Sequence, residues 1–100
     1  MNEKKFKKIL KDALVNKKLK TGAKEVMQLI KGTNIVLTSS SLPSDTLDKI
    51  KKLSSEGNIP IYQYDGNSVL LGRLCSLSYP TSVVSLRSVS QEDVDTIMND

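Results

Sequence analysis

Residues 21–31 read TGAKEVMQLIK, and this segment is the starting point for predicting the fold. Its apolar residues recur at the i, i+3, i+4, i+7 spacing that buries one face of a helix. They are Ala23, Val26, Met27 and Ile30. We therefore predict a helix packed against a core, with Thr21 as its N-cap and Gly32 as the glycine that ends it.

The start of this predicted helix is basic. A capping box would place Glu or Gln at the third helical position, but this chain has Lys24 there, shortly after Lys20. Cations at a helix N-terminus oppose the helix dipole, and the other predicted helix starts carry acidic or neutral residues. Gly22 has no side chain and allows another backbone to approach. The segment predicts a polyanion site, unless it is a solvated lysine-rich turn in which the glycine only makes a bend.

Length and charge narrow the class of protein. One hundred residues predict a single domain, residues 1–100, with one hydrophobic core. Residues 1–31 hold ten lysines against three acids, a net +7, whereas residues 32–100 hold five basic and eight acidic side chains, a net −3. Such a concentration of positive charge is expected of a nucleic-acid-binding face, although a solvated lysine-rich helix would give the same count.

Several features argue against a membrane or secreted protein. No run of 18 apolar residues occurs, and the N-terminal MNEKKFKKIL is too charged for a signal peptide. The single Cys75 cannot form an internal disulfide, which agrees with a reducing compartment. We expect a cytoplasmic protein that does not bind a membrane.

The sequence also lacks recognisable catalytic and nucleotide-binding motifs. The chain has no histidine, no Walker loop and no GxGxxG motif. Cys75 lies in the apolar context RLCSL, which predicts a buried packing residue and not a nucleophile. We expect no metal, no cofactor and no enzymatic activity.

Helical and strand patterns alternate along the whole chain. The predicted elements are an amphipathic first helix with Phe6, Ile9, Leu10, Ala13 and Leu14 inward; a brief strand within 17–20; the central helix; a strand at 34–38; a helix opened by Pro43 and closed by residues 54–58; a strand at 59–64; a short helix capped by Asn67 or Ser68; a strand at 83–89; and a last helix from Ser90 with Val94, Ile97 and Met98 inward. This alternation predicts an α/β layer sandwich with helices on both faces of a sheet.

Three segments carry a resemblance to a known family. They are TGAKEVMQLIKG, NIVLTSS and IPIYQYDGNSVLLGRLCSLSYPTSVVSL. In this order and spacing they resemble the L30e family of large-subunit ribosomal proteins, within the L7Ae superfamily. The most specific parts are Gly22-Ala23-Lys24 with Gln28 and Lys31, and IPIY followed by DGNSVLLG. The resemblance extends from the first helix to the last strand.

The resemblance implies a fold and a function. The fold would be a three-layer α-β-α sandwich with a four-stranded mixed sheet. The protein would be a non-catalytic component of the large ribosomal subunit in archaea or eukaryotes, and it would bind a sharply bent, kink-turn type of ribosomal RNA element. Its partners would be ribosomal RNA and other large-subunit proteins, and it would be a monomer when free.

The resemblance also implies a set of RNA-binding residues. Contacts in the family come from the start of the second helix, the loop after the second strand and the loop before the last strand. By position these are Gly22, Ala23 and Lys24, then Ser40 or Ser41, then Tyr79, Pro80 and Thr81. The predicted RNA-binding set also includes Lys20, Thr21 and Lys31. The backbone N–H groups of Gly22 and Ala23 would receive a phosphate or a base edge, and the lysines would neutralise phosphates.

The aromatic residue and two departures from the family pattern bear on this assignment. Tyr79 would cover an unstacked base, unless it is simply a half-buried loop aromatic. The family often has asparagine in the loop where this chain has Ser39 to Ser41. Guide-RNA members of the superfamily carry asparagine before glutamate where this chain has Lys24-Glu25, which favours the ribosomal branch. The alternatives are a kink-turn protein of a small RNA-modification particle and a protein-interaction adaptor of the same fold.

Overall fold

A computed structural model describes residues 3–98 of the chain. Its elements in chain order are α1 (Glu3–Val15), β1 (Leu19–Thr21), α2 (Ala23–Gln28), β2 (Thr33–Thr38), α3 (Ser44–Glu56), β3 (Ile61–Gln63), α4 (Ser68–Leu74), β4 (Val83–Arg87) and α5 (Gln91–Met98). The predicted alternation of helices and strands is confirmed. Within residues 3–98, no helix combines the length and the apolar character needed to cross a membrane.

The four strands form one mixed sheet in the order β1-β4-β2-β3. Strand β4 runs antiparallel to both of its neighbours, β1 and β2, whereas β2 and β3 are parallel. The two central strands are almost fully buried, and both faces of each are covered by helices. This explains why β2 and β4 read as nearly continuous apolar runs in the sequence.

Helices cover the two faces of the sheet and form two apolar clusters. One cluster joins α1, α4 and α5 to the sheet through side chains such as Phe6, Leu74, Leu86 and Ile97. The other joins α2 and α3 to the opposite face and includes Val26, Ile30, Val36, Ile50 and Val83. The fold is therefore the expected three-layer α-β-α sandwich around a four-stranded mixed sheet.

The boundaries of α2 differ from the prediction. Thr21 is not the N-cap, because it is the last residue of β1 and lies opposite Val84 of β4. The N-cap is Gly22, whose N–H donates to the carbonyl of Val83 at 3.2 Å and so continues the β1–β4 pairing by one residue. The helix also ends at Gln28, and Gly32 does not end it.

Other predicted details have mixed outcomes. Asn67 caps α4, since its Oδ1 accepts a hydrogen bond from the N–H of Leu70 at 3.0 Å. Val94 and Ile97 of α5 are buried as predicted. Met98 is 38 % exposed, so the prediction that it points inward was wrong. Strand β4 ends at Arg87 and not at residue 89, because the chain turns at Ser88, where φ is positive.

Candidate nucleic-acid interface

The predicted site residues converge on one end of the sheet because of the strand directions. Thr21, Thr38 and Gln63 are the last residues of β1, β2 and β3, and Val83 is the first residue of β4. The pairing places Thr21 opposite Val84, and Thr38 opposite both Val83 and Gln63. We call this the loop end of the sheet. The loops after β1 and β2 and before β4 all lie there.

The start of α2 and the loop that carries Tyr79, both predicted to contact RNA, are neighbours at the loop end. The Thr21 Oγ1 lies 3.3 Å from the Tyr79 hydroxyl, within hydrogen-bond distance, across 58 positions of sequence. A depression of about 390 Å³ lies beside this contact; its lining residues are Thr21, Gly22, Ala23, Leu42, Pro43, Thr46, Tyr79, Pro80, Thr81 and Ser82. We call this depression the notch. The expected adjacency of residues 22 and 79 is confirmed.

Gly22 leaves space for a close approach but does not offer its own N–H. Its φ is +89°, and no atom of residues 3–98 lies within 4 Å of the position that a Cβ would occupy, apart from the neighbouring residues in the chain. Its N–H is already bonded to Val83, which corrects the expectation that it would receive a ligand. The first helical bond runs from the Val26 N–H to the Gly22 carbonyl. The N–H groups of residues 23–25 precede that bond and therefore lack intrahelical partners.

The loop before β4 packs directly on α4. A Cβ at Gly72 would collide with the Tyr79 carbonyl oxygen, so the glycine allows the loop to lie against the helix. Thr81 fixes the loop further: its N–H donates to the Ser68 carbonyl at 3.1 Å and its hydroxyl to the Val83 carbonyl at 2.8 Å. Thr81 is only 6 % exposed, whereas Tyr79 is 52 % exposed. Thr81 thus positions the loop, and Tyr79 faces solvent.

The serine loop after β2 is tied to the loops around it. The N–H of Ser39 donates to the Ser82 carbonyl at 2.9 Å, and the N–H of Ser40 donates to the Gly66 carbonyl at 2.8 Å. The Ser41 hydroxyl accepts from the N–H of Ser68 at 3.3 Å. Ser40 and Ser41 are exposed at the loop end, but neither lines the notch.

Sequence reasoning missed the residues that follow the serine loop. Leu42, Pro43 and Thr46 form one wall of the notch. The signal was present, because Pro43 follows the end of a buried strand, and the ends of neighbouring strands can meet at one edge of a sheet. The residues were assigned only to the start of the next helix, which Pro43 does cap.

The lysines are spread more widely than the charge count suggested. Lys24 is exposed beside the notch and, with Gly22 and Ala23, lines a second depression of about 530 Å³ along α2. Lys20 lies next to Thr21 in β1. Lys31 is at the other end of the sheet, where its carbonyl accepts a hydrogen bond from Arg87 at 3.1 Å. The structure therefore places Lys24 beside the notch and Lys31 away from it, and Lys20, although adjacent to Thr21 in sequence, is not among the residues that line the notch.

Half of the ten lysines in residues 1–31 belong to α1. These five lysines are exposed, and α1 packs on the opposite face of the sheet from α2. They are Lys4, Lys5, Lys7, Lys8 and Lys11. The excess charge of the first third of the chain is thus divided between two surfaces.

Comparison with known proteins identifies the family. The model of the ribosomal protein L7Ae/L30e/S12e/Gadd45 family matches residues 4–95. The chain belongs to this family. It is 31 % identical over 83 residues to the large ribosomal subunit protein eL30 of Sulfurisphaera tokodaii. This alignment covers 81 % of this chain and 78 % of that protein. It is 34 % identical over 79 residues to eL30 of Sulfolobus acidocaldarius, covering 77 % and 76 %.

Two solved structures support the fold. A Bacillus halodurans protein of unknown function aligns with a TM-score of 0.79 at 18 % identity, covering 94 % of this chain and 93 % of that one. The 15.5 kD RNA binding protein of Giardia lamblia aligns with a TM-score of 0.75 at 19 % identity, covering 95 % and 86 %. Identities this low establish the sandwich architecture alone.

Membership in the L7Ae/L30e family agrees with the expected absence of catalysis. The curated relatives are ribosomal proteins, which confirms the prediction that the chain is not an enzyme. The single thiol fits this conclusion. Cys75 is fully buried, and burial raises the pKa of its thiol from 9.0 to about 12. The thiol is therefore protonated at neutral pH and serves as an apolar packing group.

Proposed function

We propose that this chain is a structural component of the large ribosomal subunit that binds a bent, kink-turn type of ribosomal RNA element through the notch. Family membership supports a ribosomal or RNA-binding role. The observation that carries the finer proposal is the contact of Thr21 with Tyr79, which joins the start of α2 to the loop before β4. Its partners would be ribosomal RNA and neighbouring subunit proteins, and the free chain would be a monomer.

The chemistry of the notch suits bent RNA better than paired RNA. A kink or internal loop exposes base faces that a regular helix hides, and the half-exposed ring of Tyr79 offers a surface for stacking. The open space at Gly22 lets a phosphate or base edge approach the N–H groups of Ala23 and Lys24. The ammonium groups of Lys20 and Lys24 would neutralise adjacent phosphates.

The other predicted contacts keep different roles in this proposal. Pro80 shares the wall of the notch with Tyr79 and would stiffen it. Thr81 would act through the position of the loop, because its hydroxyl is already bonded. Ser40 and Ser41 are exposed beside the notch and would meet the RNA strand that leaves it. Lys31 would contact only an RNA long enough to reach the far end of the sheet.

The proposal is tested by comparing two RNAs that differ only in shape. One is a kink-turn RNA, and the other is the same helix with the internal loop replaced by paired bases. We expect the bent RNA to bind at least tenfold more tightly at physiological salt, and the chain to co-sediment with large ribosomal subunits after a high-salt wash. Equal affinity for the two RNAs would contradict the proposed recognition of bent RNA.

A further inference from the structure

Tyr79 and Pro80 line two separate depressions. One is the notch, and the other is a groove of about 200 Å³ beside α4, lined by Val69, Arg73, Leu77, Ser78, Tyr79 and Pro80. We call the second one the α4 groove. Because the two depressions share these two residues, Tyr79 and Pro80 form the wall between them.

The α4 groove combines exposed apolar surface with one cation. Val69 is 46 % exposed and Tyr79 is 52 % exposed, so both side chains present apolar surface to solvent. Arg73 is exposed in the last turn of α4, and the lining residues include no carboxylate. An aromatic wall, aliphatic neighbours and a guanidinium together match a nucleobase with its phosphate. The groove is smaller than the roughly 300–1,000 Å³ typical of drug-sized ligands, which suits a single base.

The groove is held in shape by backbone contacts. The N–H of Leu77 donates to the Gly72 carbonyl at 2.9 Å, and the N–H of Thr81 donates to the Ser68 carbonyl at 3.1 Å. The loop that carries Tyr79 is therefore tied to α4 on both sides of the aromatic residue. A groove fixed in this way requires little ordering when a ligand binds.

We propose that the α4 groove binds the nucleobase adjacent to the one that stacks on the notch side of Tyr79, with Arg73 on its phosphate. This inference rests on the proposed function, because it extends the same RNA path over the Tyr79–Pro80 wall. Continuity with the notch and the positive charge of Arg73 favour RNA as the occupant over an apolar protein segment.

The test pairs protein variants with a modified RNA. Val69→Asp places a carboxylate in the groove, and Val15→Asp is its control, because Val15 is 71 % exposed on α1, outside both depressions. Arg73→Ala removes the cation, and Arg73→Lys retains the charge. On the RNA side, each nucleotide flanking the one at Tyr79 is replaced in turn by an abasic residue.

We expect one abasic replacement to weaken wild-type binding by about 5- to 150-fold, the range for losing one stacked base. The same replacement should make little further difference to Val69→Asp, since the groove would already be blocked. Arg73→Ala should lower the salt slope of binding by about 0.7. Arg73→Lys should restore it, and Val15→Asp should bind like the wild type.

Unchanged RNA affinity in both Val69→Asp and Arg73→Ala would overturn the inference. The inference would also fail if the same variants kept their RNA affinity and lost a contact with a subunit protein, because the occupant would then be a protein. Gly22→Leu separates this failure from failure of the proposed function. If Gly22→Leu loses RNA binding while the groove variants do not, the notch remains and only the groove assignment fails.

Discussion

Gly22 and Gly32 flank α2, lie at opposite ends of the sheet and both have a positive φ, of +89° and +88°. Their surroundings differ. A Cβ at Gly32 would stand 2.7 Å from the guanidinium of Arg87, whereas at Gly22 the described part of the chain brings nothing within 4 Å of the same position beyond the adjacent residues. The Arg87 side chain fills the space beside Gly32, whereas the space beside Gly22 is open. Packing therefore does not require glycine at residue 22, where the positive φ favours it.

The loop end is exposed to solvent, but hydrogen bonds hold its loops in place. Backbone bonds link Gly22 to Val83, Ser39 to Ser82 and Ser40 to Gly66, so each loop there is held by another loop or strand. At the far end, the guanidinium of Arg87 closes the surface by bonding the Lys31 carbonyl. The contrast indicates that the loop end is preorganised for a partner from outside the chain.

The largest expected effect separates the two glycines directly. Gly22→Leu and Gly32→Leu each place a side chain at positive φ, which costs on the order of 1–3 kcal/mol of folding stability. Only Gly22→Leu should also lose RNA binding, by at least about 100-fold, because its side chain would fill the approach to the notch. Thermal unfolding and RNA titration measure the two quantities. An equal loss of RNA affinity in both variants would contradict the proposal that only the loop end of the sheet binds RNA.

A second prediction concerns the aromatic wall. Tyr79→Ala should weaken binding of the bent RNA by about 1–3 kcal/mol, the contribution of one base stacked on an aromatic ring. Val15→Ala, which truncates an exposed apolar side chain on α1, is the matched control and should leave the RNA affinity unchanged. If Tyr79→Ala binds as tightly as Val15→Ala, Tyr79 is a loop aromatic without a stacking role.

A third prediction compares lysines at the two ends. Lys24→Ala should reduce the slope of log K against log salt by about 0.7–0.9, the share of one phosphate contact. Lys31→Ala should leave the slope for a short kink-turn RNA unchanged, because Lys31 lies beside Arg87 at the far end. Titrations at several salt concentrations measure both slopes. A larger change for Lys31→Ala would place the RNA at the wrong end of the sheet.

The smallest expected effect tests the contact that joins α2 to the loop before β4. Thr21→Val and Tyr79→Phe each remove one partner of the 3.3 Å hydroxyl contact and retain the shape of the side chain. Each should weaken RNA binding by about 0.5 kcal/mol, at the low end for a hydrogen bond. The double variant should bind like either single variant, since both remove the same bond. Additive losses would mean that the hydroxyls act separately.

The sequence predicted the layers of the fold because periodicity reports which residues are buried. Val26 and Ile30 were assigned to a buried face, and both belong to the cluster under α2. The boundaries of the helices and strands were harder to predict from the sequence, because they depend on contacts between residues that are distant in sequence. Thr21 belongs to a strand and not to a helix cap because β4 lies beside it, and the bond from Gly22 to Val83 extends that pairing.

The candidate site shows the same division. The resemblance supplied Gly22 and Tyr79, and the structure brings their surroundings together. Counting lysines along the chain could not reveal that the α1 lysines lie on the opposite face from Lys24, because which face a helix covers depends on topology. The α4 groove was also invisible to periodicity, because Val69 is an exposed apolar residue on a helix whose buried face lies elsewhere.

The order of the strands has a consequence for the chain before it meets a partner. Both outermost strands, β1 and β3, are only three residues long, and the longer strands lie between them. Few backbone groups on the rim of the sheet are therefore left to template another chain, so we expect newly made protein to resist edge-to-edge aggregation.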